Sequence, residues 1–102
     1  MNIQDSRSYA RELSKTLESG DWSSVDQLID QLIQIREEGR QVFLCGNGGS
    51  AANALHIAND FLYGASNDTK RGVRVEALSA NSSILTCLGN DLGYADVFSE
   101  QL

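Results

Sequence analysis

The sequence predicts an α/β domain, and three features carry that expectation. A short apolar run, Val42-Phe43-Leu44-Cys45, stops at a glycine-rich turn, and a helical pattern begins at once behind Ser50. A second apolar run covers Val73 to Leu78 after a polar stretch, and two amphipathic patterns precede both runs. A strand–helix–strand unit of this size implies parallel neighbours joined by a right-handed crossover. The predicted architecture is a βαβ unit preceded by two helices, the start of a doubly wound parallel sheet.

Each element has its own reason. Residues 3–19 read as a helix because Tyr9, Leu13 and Leu17 recur every fourth position among polar neighbours, and Gly20 closes it. Ser24 with Gln27 has the form of a capping box. Behind it, Val25, Leu28, Ile29, Leu32 and Ile33 form one stripe to about Glu38, with Gly39 as the stop. Gln41 to Cys45 lacks alternation, which predicts a strand buried on both faces. The third helix runs from Ser50 to about Tyr63, and 64–72 reads as a loop. Ser79 or Asn81 caps a short fourth helix carrying Ile84, Leu85 and Leu88. Gly89 to Gly93 reads as a loop, and Tyr94 opens a last helical pattern with Val97 and Phe98. Residues 1–40 thus form a helical pair for packing or oligomerisation, and 41–102 the first half of an α/β domain. With two strands a parallel sheet cannot cover its edges, so the domain is expected to be truncated at Leu102 or completed by association.

Composition narrows the function. The chain has 102 residues, 41% hydrophobic and 22% charged, within the range of soluble globular domains. A net charge of −6 argues against a nucleic-acid surface. Lys70, Arg71 and Arg74 are too few to reverse that and read as a solvated loop. Cys45 and Cys87 form no CxxC motif and read as small buried hydrophobes in a reducing compartment. No apolar run approaches the ~20 residues needed to cross a bilayer, and nothing resembles a signal peptide. The expectation is a cytoplasmic protein without membrane or nucleic-acid partners.

The chemistry concentrates between Gly46 and Asp60. A glycine-rich turn before a helix aims backbone N–H groups and the positive end of the helix at one point, which suits a phosphate. On a helical wheel Ala51, Ala54, Leu55, Ala58, Phe61 and Leu62 share one side. Asn53, His56, Asn59, Asp60 and Tyr63 share the other. His56, the one histidine of the chain, and Asp60 are i,i+4 neighbours that can share a proton or a metal ion, or form a simple surface pair. Gly46-x-Gly48-x-x-Ala51 also satisfies a dinucleotide pattern, but no acidic residue ends the second strand to hold a ribose. A P-loop is excluded because no Gly-Lys-Ser/Thr follows.

Three segments together resemble a known family. Cys45-Gly46-Asn47-Gly48-Gly49-Ser50-Ala51-Ala52, His56-x-x-x-Asp60, and Leu88-Gly89-Asn90-Asp91-Leu92-Gly93-Tyr94 are similar to the N-terminal part of a sugar-isomerase (SIS) domain, in the phosphoheptose isomerase branch. The resemblance covers essentially the whole chain. It implies that Asn47, Gly48 and Gly49 touch a sugar phosphate, with Ser50 nearby, and that Asn90 and Asp91 complete the pocket. It further implies His56 as a zinc ligand and Asp60 as metal ligand and catalytic base for an aldose–ketose isomerisation through an enediol. Zinc, self-association into dimers or tetramers, and a role in heptose supply for lipopolysaccharide and other surface polysaccharides follow from the same resemblance. Two departures stand out. Asp60 replaces the glutamate of the family, drawing the carboxylate back by about 1.5 Å. The later Ser/Thr-rich phosphate loop, glutamine and histidine have no counterpart in these residues. Such departures keep open a non-catalytic alternative, an SIS-domain protein that binds a phosphosugar or assists replication initiation.

Overall fold

The computed structural model describes residues 5–64 and 71–102. The chain falls into two compact units, Met1–Asp30 and Gln31–Leu102. In the first, α1 spans Ser6–Ser19 and starts on a reciprocal cap. The Asp5 carboxylate accepts from the Ser8 N–H at 2.7 Å, and the Asp5 N–H donates to Ser8 Oγ at 3.2 Å. Gly20 follows in an extended conformation, and the Trp22 indole N–H folds back onto the Leu17 carbonyl at 2.8 Å. Tyr9, Leu13 and Leu17 keep the predicted stripe, and all three are exposed.

Helix α2 spans Ser23–Glu38 and begins one residue before the expected capping box. Its first turn closes on the Trp22 carbonyl, and Asp21 accepts the Ser23 N–H at 3.0 Å. The hydrogen bonds from the Ser23 backbone and side chain hold the Asp21 carboxyl below its ordinary pKa. At its other end the Arg40 N–H reaches the Ile35 carbonyl at 2.9 Å and the Gly39 N–H the Arg36 carbonyl at 3.2 Å, a Schellman closure at the predicted stop.

The sheet has two parallel strands, β1 (Gln41–Leu44) and β2 (Arg74–Ala77), in register Gln41↔Arg74 through Leu44↔Ala77. Between them runs α3 (Gly49–Leu62). Its Ala54 and Ala58, one turn apart, let the helix approach Val75 and Ala77 closely, and Val42, Leu44 and Phe61 pack around that contact. The core is small because the facing side chains are small. Among the described residues, the sheet's core contact lies on this face. Phe43 is 45% exposed and its register partner Glu76 is exposed too, so β2 alternates and β1 shows Phe43 to solvent where burial on both faces was expected. The apolar stripe of α3 is correspondingly narrower than the wheel predicts: Leu55 and Leu62 are exposed.

Helix α4 (Ser82–Asp91) is capped by Asn81, whose side chain accepts from the Ser83 and Ile84 N–H groups at 3.1 and 3.2 Å. It runs through Gly89, Asn90 and Asp91, which the sequence reading placed in a loop. A helical glycine costs about 1 kcal/mol; here the helix continues to a closure in which the Leu92 and Gly93 N–H groups share the Leu88 carbonyl. Beyond it, Tyr94–Asp96 and Ser99–Gln101 form tight 3₁₀ turns rather than the expected α-helix. They anchor Val97, which is 1% exposed. The Gln101 amide ties this segment to the Leu78 carbonyl at the end of β2, at 3.0 Å.

Arg71 and Arg74, read as a solvated loop cluster with Lys70, have a structural use. Arg71 donates to the Glu37 carbonyl and Arg74 to that of Gly39, each at 3.1 Å, at the carbonyl-rich end of α2. Lys70 and most of the expected 64–72 loop lie outside the described residues.

Candidate active site

The turn from Gly46 to Ser50 is built for close approach. A Cβ on Gly46 would lie 2.4 Å from the Ser50 carbonyl carbon, so only glycine lets the turn fold back on the helix start. Gly48, the N-cap of α3, has φ +56, a conformation that favours glycine. The Ser50 hydroxyl accepts from the Asn47 N–H and donates to the Asn47 carbonyl, both at 2.8 Å. Ser79 Oγ donates to the Gly46 carbonyl at 3.0 Å, and the Tyr94 hydroxyl donates to Asn47 Oδ1. Three segments thus converge on five residues. No side chain caps α3, and the N–H groups of Gly48 and Gly49 have no acceptor among the described residues. Unsatisfied donors at a helix start, with the helix dipole behind them, form an anion-binding geometry.

Further along α3, His56 Nε2 lies 3.4 Å from Asp60 Oδ2, and the two side chains are 76% and 57% exposed. The predicted pair exists, loosely held. Two ligands on a tetrahedral zinc, each about 2.0–2.1 Å from the ion, stand about 3.3 Å apart. The pair therefore matches two corners of a zinc site. Zinc sites take three or more protein ligands, and the described residues bring no third His, Cys, Asp or Glu to this pair.

Asn90 and Asp91 sit in the last turn of α4 and are engaged with each other, Asn90 Nδ2 donating to Asp91 Oδ1 at 3.0 Å. Asp91 also accepts from the Cys87 thiol at 3.5 Å, and that hydrogen bond, with the carboxylate's charge, pushes the thiol pKa up. Cys87 and Cys45 are both exposed, contrary to the expectation of burial. One ends a strand whose sheet has its core contact, among the described residues, on one face, and the other lies on an outward face of α4. Ser50 holds the turn through its hydroxyl. Tyr94 and Ser79 join the site, although from sequence Tyr94 opens a helix and ends the third resembling segment, and Ser79 is a candidate cap.

Comparison with known proteins fits this geometry. The model of the SIS domain matches residues 7–102. The chain belongs to the SIS domain family. Among its relatives, a phosphoheptose isomerase of Synechocystis sp. is 37% identical over 92 residues, covering 90% of this chain and 47% of the relative. A phosphoheptose isomerase of Aneurinibacillus thermoaerophilus is 42% identical over 78 residues, 76% of this chain and 39% of the relative. The solved structure of phosphoheptose isomerase GmhA from Neisseria gonorrhoeae superposes with a TM-score of 0.69 at 30% identity, over 90% of this chain and 46% of that one. The chain spans less than half the length of these proteins. The doubly wound, SIS-type α/β expectation holds, with two helices, a parallel strand pair and intervening α3 forming part of that fold. No helix among the described residues is long and apolar enough to cross a membrane.

Proposed function

We propose that these residues supply one part of the active site of a phosphosugar isomerase of the phosphoheptose type, acting on sedoheptulose 7-phosphate. The observation that carries this reading is the braced Gly46–Ser50 turn, with free N–H groups at the start of the helix that also bears His56 and Asp60. The turn binds the anionic sugar phosphate through Asn47, Gly48 and Gly49, and Asn90 and Asp91 line the same pocket. The Asp60 carboxylate takes a proton from the carbon beside the carbonyl, and the electron pair moves through the new C=C bond onto the carbonyl oxygen, which gains a proton to give the enediol. The carboxyl then returns its proton to the former carbonyl carbon while the neighbouring hydroxyl gives up its own proton and becomes the new carbonyl. Zinc, when bound, would polarise the carbonyl oxygen, with His56 and Asp60 among its ligands.

The exposed stripes of α1 and α2, Tyr9, Leu13 and Leu17 with Leu28 and Ile29, favour association of the whole protein into a dimer or tetramer. We take the enzyme to act in the cytoplasm, where free thiols persist, in heptose supply for surface polysaccharide. A non-catalytic phosphosugar-binding or replication-initiation role is favoured by one feature, the shortened Asp60. Turnover of sedoheptulose 7-phosphate by the full-length protein, with and without zinc, decides between them. Absence of turnover, unrescued by Asp60→Glu, overturns the isomerase reading.

A further inference from the structure

We infer that Tyr94 is a positioning residue for the phosphosugar pocket, fixing which end of the Asn47 amide faces the ligand. This inference rests on the isomerase reading for the identity of that ligand. Every other hydrogen-bonding atom of Asn47 is already engaged. Its backbone N–H is held by Ser50 Oγ, and its carbonyl accepts from both the Ser50 hydroxyl and the Ser50 N–H. The backbone is therefore set, and the freedom left is that of the side-chain amide.

An amide can present either a carbonyl acceptor or an NH2 donor, and the two are opposite in effect beside an anion. The Tyr94 hydroxyl settles the choice by donating to Oδ1, which leaves the NH2 as the group available to a phosphate or sugar oxygen. Those donors then add to the free N–H groups of Gly48 and Gly49. Freed of Tyr94, the amide can flip and set its carbonyl oxygen against the anion.

Tyr94 is suited to this by its mounting. Its ring is 67% exposed, so it contributes little to the core. The turn that bears it is nevertheless rigidly tied, by buried Val97 on one side and by Gln101, whose amide donates to the Leu78 and Val97 carbonyls, on the other. An exposed phenol on an anchored turn, bonded across the chain to a loop of the candidate site, serves orientation better than packing.

The test uses the full-length protein with Tyr94→Phe, which removes the hydroxyl and keeps the ring. KM for sedoheptulose 7-phosphate should rise on the order of 10-fold, the worth of about one hydrogen bond to a charged group, with kcat changed by less than about 2-fold. In an Asn47→Ala background the same substitution should change KM by less than about 2-fold. Selective 15N-asparagine labelling adds a readout independent of turnover: the Asn47 side-chain NH2 signals should shift in Tyr94→Phe and broaden as the amide samples both orientations about χ2. An unchanged KM, or an equal KM effect in the Asn47→Ala background, overturns the inference. If the wild type turns over no sedoheptulose 7-phosphate with or without zinc, and Asp60→Glu does not restore turnover, the isomerase reading fails by itself. The Asn47 signals then decide on Tyr94: unaltered signals sink the positioning role and altered ones sustain it.

Discussion

The Gly46–Ser50 turn and the His56–Asp60 pair belong to one stretch of chain, yet they are held in opposite ways. The turn is braced from three segments, by Ser50, Ser79 and Tyr94, and its first glycine cannot accept a Cβ. The pair has one loose contact of 3.4 Å between two exposed side chains. On the proposed reading, the anion-binding element is therefore organised before any ligand arrives, whereas the acid–base element acquires its geometry from whatever completes the site. That division suits an enzyme, because a preformed anion site lowers the ordering cost of binding. Chemistry, by contrast, needs charges placed against the reacting carbon itself.

The contrast can be broken by substitution. Asp60→Asn should lower turnover of the full-length enzyme by about 10²–10⁴-fold, the usual worth of a general base. Its unfolding free energy in urea should stay within about 0.5 kcal/mol of wild type, since an exposed, loose pair contributes little to stability. A large stability loss would instead mean that Asp60 is structural. Gly46→Ala should do the reverse at the level of the fold, costing about 3 kcal/mol because the new methyl meets Ser50 backbone that has nowhere to go. Chemical denaturation reads this directly, and a neutral result would show the turn to be pliable.

Smaller effects sharpen the same distinction. Asn81→Ala removes a cap at the end of α4 opposite Asn90 and Asp91 and should cost about 1 kcal/mol, with sugar-phosphate affinity unchanged; a loss of affinity would mean that the cap also fixes where α4 sets Asn90 and Asp91. Asp91→Asn removes the charge that raises the Cys87 pKa. The thiolate fraction then grows at any pH below the wild-type pKa, and alkylation of Cys87 by iodoacetamide at pH 8 should speed up by a few fold. Mass-spectrometric rates that stay equal would remove Asp91 as the cause.

Local chemistry was legible in the sequence, and long-range chemistry was not. The turn announced itself because Gly46, Asn47, Gly48, Gly49 and Ser50 are residues a sharp phosphate-facing turn needs, and the i,i+4 rule placed His56 beside Asp60. The start of α4 follows the expected Asn81 cap, but its end lies beyond the expected one because Gly89 carries a propensity penalty that the continuing helix overrides. Cys45, Cys87, Phe43 and Leu55 were expected inside because apolar type reports affinity for burial, while what covers a face depends on elements elsewhere. The bond from Tyr94 to Asn47 spans 47 residues, and no periodicity reports on such a contact.

Arg74 pairs with Gln41 in the sheet while its guanidinium grips the Gly39 carbonyl, two residues before that partner. A slip of β2 by one residue would move Arg74 about 3.3 Å along the strand and turn its side chain to the opposite face. The grip on Gly39 would be lost along with the seating of Val75 and Ala77. A single side chain thereby works as a register gauge for these two strands. The same error would shift the strand end that delivers Ser79 to Gly46, so the gauge also protects a brace of the glycine-rich turn.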